Sequence, residues 1–349
     1  GAPMKPALPL PDGVEKPLPK PLPVPKPKPF PPAEPAPIPI PYPTLDPSPA
    51  PAPPPAQACT APANCAPGDV DRDGVPDAWE DRLAATFAPE LRLPPDSEDW
   101  TRPSSVDWYL ARVHMRFEHS GCSDCQVLNV GAVTQQNLAA QKHRGKNWRC
   151  SHNDSWSAST SSRKFFLQPP NDDVHKGAPA SDWRAYVHVK PGAAGGWDVQ
   201  YWFFYPYNDS YASANHEGDW EHITVSTDAA GQFASAYYAQ HGGGATYTAG
   251  DLGFVNTTHP VVYVADGSHA SFPRVGNFDI PKVPLLDDHT YAGGPVWQTW
   301  LNWVNVGEVG SSRNGQSFID YAGRWGEFGS SDLTSGPPTM SFQSAWNAL

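Results

Sequence analysis

Two short stretches concentrate the residues whose types and spacing can do chemistry. In Asp69-Val70-Asp71-Arg72-Asp73-Gly74-Val75-Pro76-Asp77-Ala78-Trp79-Glu80, side-chain oxygens fall at positions 1, 3, 5, 9 and 12 of a twelve-residue loop: Asp69, Asp71, Asp73, Asp77 and Glu80. The backbone carbonyl of Val75 stands at position 7 and Gly74 at position 6. Calcium takes about 6–8 hard oxygen ligands, and a loop that reverses through glycine before entering a helix gathers them around one point. The spacing therefore predicts Ca2+ at 69–80, with Glu80 closing the shell. Cys65 and Pro67 occupy the place of an entering helix, so a lone structural calcium loop is expected rather than a paired sensor hand. An acidic helix start that favours the helix dipole is the simpler alternative.

The second stretch is His216-Glu217-Gly218-Asp219-Trp220-Glu221-His222, preceded by Tyr205-Pro206-Tyr207-Asn208-Asp209. On an extended strand Asp219 and Glu221 share a face while Trp220 points to the other. Two converging carboxylates repel unless a cation or a proton sits between them. With His216 and Asp209 they form a mixed nitrogen and oxygen set suited to Mg2+, Ca2+ or Mn2+, and less well to Zn2+. Glu217, His222 and His269 are the candidate general bases, and Tyr205, Tyr207, Trp220 and Asp266 are the candidate ligand contacts.

Elements able to position these groups are legible nearby. Trp79, Leu83 and Phe87 recur at four-residue steps and predict a helix from about Asp77 that ends before Pro89. Alternating or aromatic runs predict strands at 185–189, 197–205, 221–225, 234–238 and 260–264, separated by Gly, Asn, Asp and Pro clusters. That pattern predicts an all-β fold: an antiparallel β-sandwich with long loops and one N-terminal calcium-loop helix, spanning 68–349. Residues 1–67 hold more than half of the 43 prolines. Proline lacks a backbone donor and fixes φ, so this segment is expected to be a disordered, proline-rich spacer in extended polyproline II form.

The formal net charge of −12 argues against a nucleic-acid partner, which requires a cationic footprint. Apolar runs never reach the about 18 residues of a membrane-spanning helix. Of the five cysteines, Cys59 and Cys65 suit a local disulfide, and Cys150 can close a loop with Cys122 or Cys125. This usage points to an oxidising compartment, and so to a secreted or cell-surface protein whose export signal is not contained in the sequence.

Several segments resemble the Vps62-related domain family: Phe87-Ala88-Pro89, Pro103-Ser104-Ser105-Val106, His216 to His222, Val262 to Ser271, and Tyr321-Ala322-Gly323-Arg324-Trp325-Gly326. Asp209, the His-x-x-Asp-Trp-Glu run, His259 to Tyr263 and Gly267-Ser268-His269-Ala270 are also similar to necrosis-inducing NLP proteins. That second resemblance implies a β-sandwich with a divalent cation at Asp209, His216, Asp219 and Glu221, sphingolipid-headgroup binding and membrane damage. Gly218 stands where that family has a second histidine. The reading expected from residues and resemblance together is a cation-dependent binding protein that recognises a glycan or glycolipid headgroup, with peripheral membrane or cell-wall contact. A metal-dependent hydrolase of a glycan, lipid or phosphoester is the first alternative, and a structural surface protein the second.

Overall fold

Near-continuous apolar runs, where strict alternation would mark a half-exposed strand, signal strands covered on both faces. Residues 197–208 read Trp-Asp-Val-Gln-Tyr-Trp-Phe-Phe-Tyr-Pro-Tyr-Asn, and in the computed structural model they form the centre of a six-stranded sheet. Its order is β16 (Trp303–Asn305), β5 (Ala185–Pro191), β6 (Trp197–Asn208), β7 (His216–Thr227), β8 (Phe233–Gln240) and β9 (Gly243–Tyr247). The structure describes residues 59–65, 67–118, 124–141, 162–210, 214–280 and 286–348. The expected spacer before Cys59 lies outside the described residues, as do Cys122 and Cys150.

One face of this sheet carries Val187, Val199, Tyr201, Phe203, Tyr205, Ile223 and Val225 into a core shared with α1 (Asp77–Phe87). A second sheet completes that layer, in the order β10 (Phe254–Val255), β11 (His259–Val264), β1 (Glu90–Arg92) and β15 (Val296–Gln298), with β12 (Ser271–Phe272) also paired to β11. The opposite face carries Tyr186, Trp202, Phe204 and Trp220 into a separate core. There it meets α2 (Val106–Leu110), the sheet β3 (Cys125–Leu128), β2 (His114–Phe117) and β4 (Phe165–Gln168), and the C-terminal residues Phe318, Trp325 and Trp346. The expected sandwich is therefore present, with its central sheet covered on both sides.

All five expected strands form, most of them longer than expected. Among the described residues two strand pairings are parallel, β1 with β11 and β16 with β5, each joining strands from distant parts of the chain. The helix runs over Asp77–Phe87 as expected, and its last turn is held by Tyr201, whose hydroxyl donates to the carbonyl of Ala84 at 2.8 Å. Short helices absent from the sequence reading are α2, α3 (Gln135–Leu138) and α4 (Ser344–Asn347). Cys59 and Cys65 form a disulfide, and Cys59 is buried against the first core. Packing thus already includes Cys59, ahead of the boundary expected at Gly68. Among the described residues no helix is long and apolar enough to cross a membrane.

Candidate functional site

The 69–80 loop is drawn into a knot of carboxylates. Ligand atoms of Asp69, Asp71 and Asp73 lie within 4.8 Å of one another, as do those of Asp71, Asp77 and Glu80. Asp69 accepts from the amides of Asp73 and Gly74, and Gly74 turns with φ of 89°. Asp71 and Glu80 are 3% and 1% exposed. Asp71 Oδ1, Asp73 Oδ2 and Glu80 Oε1 are buried without a hydrogen-bond partner. A buried carboxylate oxygen left without a partner is costly, so this donor set fits a hard cation. Burial, reinforced by the neighbouring acids, pushes Asp71 up to about 7 and Glu80 up to about 9. Val75, expected to ligate through its carbonyl, is buried beside them.

Sequence reasoning missed Arg313. From beyond the short hairpin of β17 (Gly307–Glu308) and β18 (Ser311–Ser312), its guanidinium reaches Asp77 at 3.2 Å, Glu80 at 2.8 Å and Asp81 at 3.1 Å. Ser311 adds a hydrogen bond of 2.6 Å to the carbonyl of Asp71. Asp77 and one oxygen of Glu80 therefore already have a cationic partner, whereas Asp71 and Asp73 do not. No local motif announces an arginine 233 positions from the acid it meets.

The 216–222 motif is placed by a kink. Tyr205 pairs with Asp219 and Tyr207 with Glu217, while Gly218 between them adopts φ of 69° opposite Pro206. A Cβ at Gly218 would lie 2.2 Å from the carbonyl oxygen of Trp325, which explains glycine at this position. Across the kink, neighbouring side chains take up different surroundings. Glu217 lies 3.5 Å from His175 and accepts from the amide of Glu327 at 3.1 Å. His216 Nδ1 lies 2.7 Å from the carbonyl of Gly218. Asp219 Oδ2 lies 2.8 Å from His269 Nδ1, and His269 Nε2 lies 2.8 Å from Thr101 Oγ1, which donates to Asp99. This network is sealed, with His269 1% exposed and stacked on Tyr205 at 3.8 Å.

His222 belongs to the opposite face, beside a groove along β7 to β9, while Glu221 stays on the face of Asp219 and borders that groove. Burial, then the charges of Asp219 and Asp288, hold Glu221 well above the usual carboxylate range. Burial alone lowers His222 to about 4, where it stacks on Trp202 at 4.3 Å. Among the described residues, Asp209, His216, Asp219 and Glu221 do not supply three ligand atoms within 4.8 Å of one another. Two of the rings expected to flank a ligand are core instead. Tyr205 and Trp220 are 1% and 4% exposed because the central sheet is covered on both faces. Tyr207 is half-buried and stacks on His175 at 4.3 Å.

Asp209 and Asp266 meet in a cleft of about 320 Å3, together with Glu98, Asp99 and Asp287. Gly267 makes this approach possible: a Cβ there would lie 2.5 Å from the carbonyl of Asp209, and its own carbonyl accepts from the amide of Asp209 at 3.0 Å. Trp100, 41% exposed, donates its indole N–H to Asp209 at 2.8 Å and lies 5.9 Å from Tyr207. Asp266 accepts from the amide of His289 and from the hydroxyl of Tyr291, both at 3.1 Å, and burial raises it above the ordinary carboxylate value. The run Glu98-Asp99-Trp100 was the available sequence signal for this cleft, because it joins two acids to an aromatic ring.

A family model described as vacuolar protein sorting-associated protein 62 matches residues 75–280. No match to the chain was found among curated proteins. Among solved structures the chain is similar to Necrosis and Ethylene inducing Protein 2 from the causal agent of cocoa's Witches Broom disease. That match has 15% identity over 69% of this chain and 79% of the other, with a TM-score of 0.35. It is also similar to NLPPya in complex with mannosamine, at 13% identity over 76% and 85% with a TM-score of 0.36. A third similarity is to the non-toxic HaNLP3 protein, at 11% identity over 72% and 80% with a TM-score of 0.33.

Proposed function

The chain belongs to the family of vacuolar protein sorting-associated protein 62, and from that premise we propose an exported or surface-held binding protein that takes a glycan or glycolipid headgroup through a divalent cation in the acidic cleft. The observation that carries this reading is the set of five carboxylates, Glu98, Asp99, Asp209, Asp266 and Asp287, lining one cleft of about 320 Å3 beside the exposed ring of Trp100. Like charges gathered along one cleft favour a bound cation; no three of their ligand atoms lie within 4.8 Å of one another, so an ion would have to draw them together. Carboxylate oxygens suit Mg2+, Ca2+ or Mn2+ better than Zn2+, and the one imidazole that lines the cleft, His289, lies 3.8 Å from Asp266. Sugar hydroxyls complete the shell of such an ion while an apolar sugar face rests on an aromatic ring. Leu286, 37% exposed, also lines the cleft and gives it an apolar lip for peripheral contact with a lipid surface.

Calcium at 69–80 has a supporting role in this reading. Asp69, Asp71, Asp73, Glu80 and the carbonyl of Val75 would hold it, and its charge would answer the orphaned oxygens of Asp71, Asp73 and Glu80. The disulfide Cys59–Cys65 accords with an oxidising, extracellular setting. Turnover is less favoured than binding, because the three candidate bases are poorly placed for it. His269 is sealed, Glu217 is engaged by the Glu327 amide, and His222 is stacked and held to about 4.

The test is binding to vesicles that carry a neutral glycosphingolipid, with Mg2+, Ca2+ or Mn2+ against chelator, for the intact chain and for Asp209→Asn with Asp266→Asn. Loss of sedimentation with the vesicles, and of one bound metal equivalent, is expected in the double variant. Vesicle binding that survives both chelator and the double variant sinks the reading.

A further inference from the structure

The outer face of the six-stranded sheet is covered unevenly. Over β5 and β6 the C-terminal segment lies flat: Trp346 stacks on His188 at 3.7 Å, and Gln200 donates to the carbonyl of Ala345 at 2.8 Å. Over β7 to β9 that cover stops, leaving a groove of about 480 Å3 with Gln343 and Ser344 along one wall. This is within the range of about 300–1,000 Å3 typical of small-molecule pockets.

Strand register makes the groove floor polar. Thr224 pairs with Tyr237, Tyr237 with Thr246, and Ser226 with Ser235. Directly paired residues share a face, so the hydroxyls of these five side chains line the same surface. The alternating residues Ile223, Val225 and Tyr238 enter the core on the other side. Trp220, which also lines the groove, has its Nε1 buried without a hydrogen-bond partner. Beside it, neither the Glu221 carboxylate nor the His222 ring hydrogen-bonds to another described residue. Buried polar groups are otherwise almost always partnered, so the Trp220 indole N–H is unused donor capacity.

We infer that this groove is a second binding site, separate from the acidic cleft, and that it takes an uncharged carbohydrate. Among the described residues neither lysine nor arginine lines it, and His241, raised by its 2.7 Å hydrogen bond to Asp288, already has that carboxylate as its counter-charge, which disfavours phosphates and carboxylates. Glu221 is the single carboxylate among the described lining residues, too few for a cation site. What remains is a surface of hydroxyls, an amide, an indole donor and two imidazoles beside the half-buried ring of Tyr237. Polyols with alternating donors and acceptors match that inventory, and their C–H faces match the ring. This site needs no metal and is independent of the reading given for the cleft.

The experiment is saturation-transfer NMR on the intact chain in chelator, with glucose, galactose, mannose, maltose, cellobiose and lactose at millimolar concentration. At least one of the six is expected to show transfer. Thr246→Trp, at an exposed position, should fill the groove and Tyr237→Ala should remove its ring, each weakening binding by about tenfold or more. Trp100→Ala in the acidic cleft should leave it unchanged. Circular dichroism melts establish that the variants fold. Absence of transfer for all six sugars, or transfer that persists in folded Thr246→Trp, overturns the inference.

Discussion

Nδ1 of His269 lies 2.8 Å from Oδ2 of Asp219, and both residues are buried. His269 arrives from the turn after β11, with φ of 56°, and its other nitrogen reaches Thr101. One imidazole thus ties β7 to the loop that carries Asp99 and Trp100 into the acidic cleft. His269→Asn isolates this tie, since asparagine tolerates the left-handed backbone but cannot span both partners. A loss of about 2–3 kcal/mol in urea unfolding is expected from leaving a buried carboxylate short of a donor. Stability within a few tenths of wild type would show that the tie contributes nothing.

Arg313 and the calcium loop compete for the same carboxylates. Replacing it by Arg313→Met leaves Glu80 and Asp81 without their cation, and should destabilise the calcium-free protein by about 3 kcal/mol. Added Ca2+ should recover more stability in Arg313→Met than in wild type, because Glu80 can then offer both oxygens. For wild type, saturation near a hundredfold over Kd is expected to add about 2.7 kcal/mol. Asp71→Asn with Glu80→Gln should abolish that gain. Calcium-independent melting of wild type would remove the loop site.

The pH dependence has a defined sign. The calcium-free fold holds Asp71 up to about 7 and Glu80 up to about 9, whereas the unfolded chain titrates both in the ordinary carboxylate range of about 4. Between those limits the folded state binds more protons than the unfolded state, so stability must fall as pH rises. Melting temperature in chelator is therefore expected to drop from about pH 5 to about pH 8. Saturating Ca2+ should flatten the drop, and calcium binding at neutral pH should release protons into a weakly buffered solution. A melting temperature in chelator that rises over the same interval contradicts this assignment.

How much was legible follows from the range of each interaction. The acidic loop at 69–80, α1 and the five main strands are written in local spacing, and the clustered carboxylates, the helix and the strands stand where the spacing puts them. The splitting of 216–222 is not written there. Alternation placed Asp219 and Glu221 on one face, where the charge of Asp219 acts on Glu221, but it could not show that His269 takes Asp219 while His222 stacks on Trp202 on the other face. Burial of Tyr205 follows from the layer of α1, β1 and β11 on one face of the sheet, and burial of Trp220 from the opposite layer, which residues 106–167 build together with residues beyond 300. Arg313 stands apart in sequence from the acids it meets, and only the chain's long returns bring it to the acidic loop and bring Asp99 and Asp288 towards β7.

Gly218 tests whether the kink governs the motif. A left-handed backbone at a non-glycine residue costs about 1–3 kcal/mol, and here a Cβ would also strike the carbonyl of Trp325 at 2.2 Å. Gly218→Ala is therefore expected to lose at least about 2 kcal/mol. Because Trp325 belongs to the aromatic cluster with Phe204 and Trp220, relief of the clash must displace that cluster, and tryptophan fluorescence should shift along with stability. Gly218→His, which supplies the second histidine of the resembling family, meets the same obstruction and should lose as much without gaining a metal equivalent. If Gly218→His proved as stable as wild type and bound an additional cation, the backbone at 217–219 would have to be free to straighten. Asp219 would then be a ligand rather than a partner of His269.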